Sequence, residues 1–122
     1  MTKHSERRSS LRRPIHHEAV MKTEDGLELS CIIADFCLDG MFIKFMSEAA
    51  NRTVDMPSIE QHHSRIELSF IGEKGKRYAI EAEIVHHLNG ACGLHFMQRY
   101  DAAVQSLVNL SINTGLATEH SL

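Results

Sequence analysis

The chain has 122 residues, 43% of them hydrophobic but only 6% aromatic and none tryptophan, enough for one domain with an Ile, Leu, Val and Met core and too few for two. No apolar run approaches the roughly 20 residues a membrane span needs, and no apolar segment follows the basic start as a signal peptide would require. Three cysteines without CxxC spacing argue against a disulfide framework and fit a reducing, cytoplasmic setting.

The net charge of −3 is unevenly spread. Residues 1–13 carry five basic side chains (Lys3, Arg7, Arg8, Arg12, Arg13) against Glu6 alone. Of thirteen basic and sixteen acidic residues in all, eight and fifteen therefore remain for the rest of the chain. A basic arm on an acidic body attracts an anion, and the body's charge favours a small one over a long polyanion.

After this arm, which shows no apolar periodicity, Pro14 leads into a strand near Ile15 to Met21. Glu24-Asp25-Gly26 is a turn, with Gly26 free to take positive φ. Leu27, Leu29, Cys31 and Ile33 alternate with Glu28, Ser30 and Ile32, the period of a half-buried strand. Asp39-Gly40 breaks it, and Met41, Ile43 and Phe45 mark the next strand. Residues 47–63 read as a loop, with a helical turn expected at Ser47 to Asn51. Ile66, Leu68 and Phe70 restart the alternation, and Gly72 to Gly75 connect it to a strand with Tyr78, Ile80, Ala82 and Ile84 on one face. Asn89-Gly90 is a hairpin turn into Cys92, Leu94 and Phe96. Strands without crossover helices point to an antiparallel barrel or sandwich. The period then changes: Tyr100, Ala103, Val104, Leu107 and Val108 follow helical spacing, with Asp101 as a cap and Gly115 as a stop. The expected division is an arm over 1–13, a barrel with its helix over 14–115, and a frayed tail over 116–122.

Two short motifs carry chemistry. Arg8-Ser9-Ser10-Leu11-Arg12 sets two guanidinium groups four residues apart, and each can grip a phosphate or pair with guanine O6 and N7. In Asp35-Phe36-Cys37-Leu38-Asp39-Gly40, Asp35 can accept hydrogen bonds from guanine N1–H and N2–H₂, while Gly40 permits a tight turn or close approach. Taken singly, the first motif reads as a solubilising basic terminus and the second as a turn between strands.

Together, the two motifs resemble RxxxR and [D/N]xSxxG, the signatures of the PilZ family. Glu6 to Arg12 is similar to that family's ERRxxxR opening, Ile33 to Ile43 to its second motif and following strand, and Cys92-Gly93-Leu94-His95-Phe96 to its closing strand. The resemblance implies a mainly β fold, a six-stranded antiparallel PilZ-type barrel with a C-terminal α-helix. It also implies a bacterial, non-enzymatic receptor for the second messenger cyclic di-GMP. Arg8 and Arg12 would hold phosphates and guanine Hoogsteen edges, Asp35 and the serine position would meet the other guanine edges, and Gly40 would shape the turn. Arg7 and Arg13 are further candidates for phosphate. Cys37 departs from the pattern, because a thiol replaces the serine hydroxyl. A net hydrogen bond is worth about 0.5–1.5 kcal/mol, up to about tenfold in affinity, so binding is expected to survive in weakened form.

Other chemistries find less support. Histidine doublets at His16-His17, His62-His63 and His86-His87 would point to opposite faces of a strand, which opposes chelation from one side; His17 or His87 is expected to border the ligand groove instead. Cys37 as a nucleophile beside Asp35 would have its thiolate disfavoured. Nucleic-acid binding by the arm would want aromatic platforms that the cluster lacks. The expectation is a receptor without catalytic residues, metal or cofactor. Ligand orders the arm, and the output is contact with an unidentified protein partner or attached output domain. The alternative is a PilZ-like adaptor that has lost the nucleotide and works by protein contact only.

Overall fold

The computed structural model describes residues 12–46 and 65–112. They form β1 (Arg13–Thr23), β2 (Glu28–Phe36), β3 (Gly40–Phe45), β4 (Arg65–Ile71), β5 (Arg77–Leu88), β6 (Ala91–Phe96) and a helix, α1 (Asp101–Ile112). All strand pairs are antiparallel, and the strands close in the order β1-β2-β3-β6-β5-β4. The six-stranded antiparallel barrel with a C-terminal helix expected from the sequence is the fold observed. The turn expected at Ser47 to Asn51, the His62-His63 doublet and the Gly115 stop lie outside the described residues.

Period-two alternation fills the barrel. Ile66, Leu68 and Phe70 of β4 are buried while Arg65, Glu67 and Ser69 face outward. Met21, Ile33, Met41, Ile43, Leu68 and Ile80 are almost fully buried beside Phe36, the largest such side chain. Each contributes about 1.5–3 kcal/mol on leaving water, which supplies a core without tryptophan. Leu27 departs from the expected inward row and is exposed. The β1–β2 hairpin closes on it: Thr23 N–H donates to Leu27 C=O at 2.9 Å and Leu27 N–H to Thr23 Oγ1 at 3.1 Å. Gly26, at φ +94°, makes that turn feasible.

β1 pairs with β4 only over Val20 to Thr23, although it pairs with β2 from Arg13 onward. The barrel therefore opens below Val20, and α1 packs against β1 and β5 there. Ala103, Val104 and Leu107 enter the core. The His17 ring donates from Nε2 to Ile71 C=O at 2.7 Å, tying β1 to the end of β4, and rests edge-on against Phe70. Glu73, in the β4–β5 hairpin, holds the helix: its carboxylate accepts from Ser106 Oγ at 3.2 Å and from Asn109 Nδ2 at 2.9 Å. Glu81 N–H donates to Tyr100 Oη at 3.0 Å. The first helical hydrogen bond, Val104 N–H to Tyr100 C=O at 2.9 Å, makes Tyr100 the cap residue rather than Asp101. Asp101 sits one position later, where its charge meets the positive helix end and Arg99 Nη2 lies at 3.1 Å.

Candidate functional site

Arg12 of the first motif and Asp35 of the second meet where β1 begins and β2 ends. Continuous alternation from Cys31 and Ile33 would send Asp35 into the core. Two bulges prevent this. Ile33 pairs with Ile43 but Asp35 with Phe42, leaving Ala34 as an extra residue in β2. Opposite it, β1 steps from Pro14↔Asp35 to His17↔Ile33. One extra residue reverses the faces beyond it, so Phe36 is buried and Asp35 stands on the outer wall.

There Asp35 meets the arm. Arg12 Nη1 donates to Asp35 Oδ1 at 2.7 Å, joining residues 23 apart, with the two side chains 53% and 29% exposed. Arg13 begins β1 opposite Phe36 and so belongs to the barrel wall. Arg7 and Arg8 lie outside the described residues.

The second motif turns the chain from β2 into β3. Cys37 N–H donates to Gly40 C=O at 2.9 Å, and the Cys37 thiol donates to Asp39 Oδ1 with Sγ at 3.1 Å. The thiol thus keeps a polar contact within the turn, as a hydroxyl can. Phe96 N–H donates to Asp39 C=O at 2.8 Å and pins the turn to β6. Gly40 is required by close approach: a Cβ there would collide with the Leu94 carbonyl oxygen. The other two cysteines are buried. Burial, with Cys92 nearby, pushes the Cys31 thiol up to about 12, so it is inert at neutral pH.

Sequence reasoning overlooked part of this wall. Asp35 pairs with Phe42, Phe42 with Gly93 and Gly93 with His86, all on the outer face. The Gly93 position is kept clear of a side chain because a Cβ would lie 2.8 Å from that of His86. A half-buried Phe ring therefore lies next to the carboxylate, while His86 covers the buried Gly93 on β5, three strands from β2 around the six-stranded barrel. His17 is instead engaged at the β1–β4 seam, and His87 is half-buried. The signal for Phe42 was present as residue type, but the bulged register had to bring it to Asp35. Among the described residues no group of three His, Cys, Asp or Glu is placed to hold a metal ion, and no helix is long and apolar enough to cross a membrane.

A closed antiparallel barrel with a helix over one end and polar groups gathered on its wall defines a binding domain built on a β scaffold. The sequence profile of the PilZ domain matches residues 6–113, which include both motifs, and the chain belongs to that family. Among solved structures, it is similar to the PilZ domain of CeSA from a cellulose-synthesizing bacterium, with a TM-score of 0.58 and 16% identity over 84% of this chain and 96% of that one. No curated protein matches it in sequence. PilZ domains are binding domains rather than enzymes and are generally receptors for cyclic di-GMP.

Proposed function

We propose that this domain is a cyclic di-GMP receptor whose ligand lies on the wall between Arg12 and Asp35. The supporting observation is the 2.7 Å contact that unites the two motifs across 23 residues. Asp35 accepts from N1–H and N2–H₂ of one guanine. Arg8 and Arg12 hold phosphate oxygens and Hoogsteen acceptors, with Arg7 and Arg13 adding positive charge. Phe42, paired with Asp35, offers a ring beside the carboxylate on which a base can stack. Gly40 fixes the turn, and Cys37, its proton directed to Asp39, shapes it while adding little to affinity. The arm closes over the ligand, and the surface so made docks on a protein partner or an attached output domain in the cytoplasm.

Calorimetric titration with cyclic di-GMP, with GTP as control, tests this reading. Saturable and selective heat is expected. Arg8→Ala should weaken binding by about 10–100-fold, the worth of a hydrogen bond to a charged group. No heat from a folded barrel, and none from Cys37→Ser, would leave an adaptor that acts by protein contact alone.

A further inference from the structure

The carboxylate assigned to guanine already has an occupant from its own chain. A guanidinium edge presents adjacent N–H donors in one plane, and so does guanine through N1–H and N2–H₂. Arg12 Nη1 reaches Asp35 Oδ1 at 2.7 Å, in the position one of those guanine donors would take. A guanine edge bound through both oxygens needs that place. The pair is partly open to water, with side chains 53% and 29% exposed, and such a contact shifts an equilibrium by only about 1.4–5-fold. It is easily exchanged.

We infer that Arg12 is a built-in surrogate for guanine at Asp35, and that binding is an exchange. The base takes the carboxylate, and the released guanidinium turns to a phosphate oxygen. This rests on the receptor reading and adds a sequence of events to it. Before exchange, the pair keeps the carboxylate compensated and holds the end of the arm beside the wall. After exchange, the charge that guarded the base site has become a phosphate ligand. Neither guanosine nor inorganic phosphate combines the two halves of this step, so the device favours a ligand carrying base and phosphate together.

A double-mutant cycle on cyclic di-GMP affinity separates exchange from a static pair. Arg12→Ala loses the phosphate contact but no longer has to break the pair, and Asp35→Ala loses the guanine contact with the same saving. The double variant loses both contacts and makes that saving once. Its affinity should therefore fall below the product of the single effects by about 1.4–5-fold. A strictly multiplicative result, or a double variant that binds better than the product, would show that Arg12 stays on Asp35 in the complex and would overturn the exchange while leaving the receptor reading intact. Absence of binding to the wild type and to Cys37→Ser would remove the receptor reading itself. If a single variant binds too weakly to measure, the Arg12 side-chain ¹⁵N signal decides. It should differ between the wild type and Asp35→Ala without ligand, and leave the Asp35-paired position on saturation with cyclic di-GMP. An unchanged signal at saturation overturns the exchange.

Discussion

Gly40 shows why a ligand motif must also satisfy the barrel. Its position faces the Leu94 carbonyl oxygen so closely that a Cβ cannot fit, and the opposing atom is backbone with no rotamer to yield. Its carbonyl also accepts the Cys37 N–H bond that closes the turn. Gly40→Ala must therefore push β3 away from β6, an overpacking strain of about 1–3 kcal/mol. The expected result is a lower urea midpoint with unchanged slope, beside a near-native far-UV spectrum. An unchanged midpoint would mean that β6 yields freely at Leu94. Cys37 teaches the complementary lesson, since its thiol bonds to Asp39 and the turn tolerates the family's missing serine.

At the scale of elements, period-two alternation marked the strands after the first, which Pro14 introduces, because most of them hide one row of side chains and wet the other. Register and bulges were not legible. The extra residue at Ala34 turns Asp35 outward, yet nothing in the composition of Ile33-Ala34-Asp35 distinguishes a bulge from continued pairing. The resemblance named Asp35 and Arg12, while the place of Phe42 beside Asp35 depended on the bulged pairing of β2 with β3. The helix was legible from its spacing, but its fastening was not, because Glu73 is 33 residues from Ser106. Glu73 accepts from both Ser106 and Asn109, and Ser106 is buried, so Glu73→Ala leaves a hydroxyl short of a partner at the lid of the core. The expected loss is about 1–2 kcal/mol in thermal or urea unfolding. Faster exchange of amides in α1 than in β2 and β3 should accompany it, because the helix and not the barrel has lost an anchor.

Across the whole molecule, charge decides what kind of anion the wall can hold. Of the arm's basic residues the structure describes Arg12 and Arg13, at the start of β1, whereas on β1, β4 and β5 the acids Glu18, Glu67, Glu81 and Glu83 are interleaved with Lys22, Arg65 and Arg77. Glu67 and Glu81 lie directly opposite one another. A compact dianion beside Arg12 stays at the start of β1. A long polyanion anchored at the same point has to extend along a body with fifteen acidic residues against eight basic ones. Screening acts over about 8 Å at physiological ionic strength, so the attraction of the arm and the repulsion of the acidic body are local and nearly independent. Raising salt from about 50 mM to about 500 mM should thus weaken cyclic di-GMP only several-fold, since base contacts at Asp35 persist when phosphate contacts are screened. A single-stranded RNA should neither displace the dinucleotide at physiological salt nor gain from Cys37→Ser. Displacement by RNA, with the steep salt dependence of counterion release, would reassign the arginines of the arm to a polyanion. Selective dinucleotide binding with a shallow salt slope ties them instead to the carboxylate that Arg12 already touches.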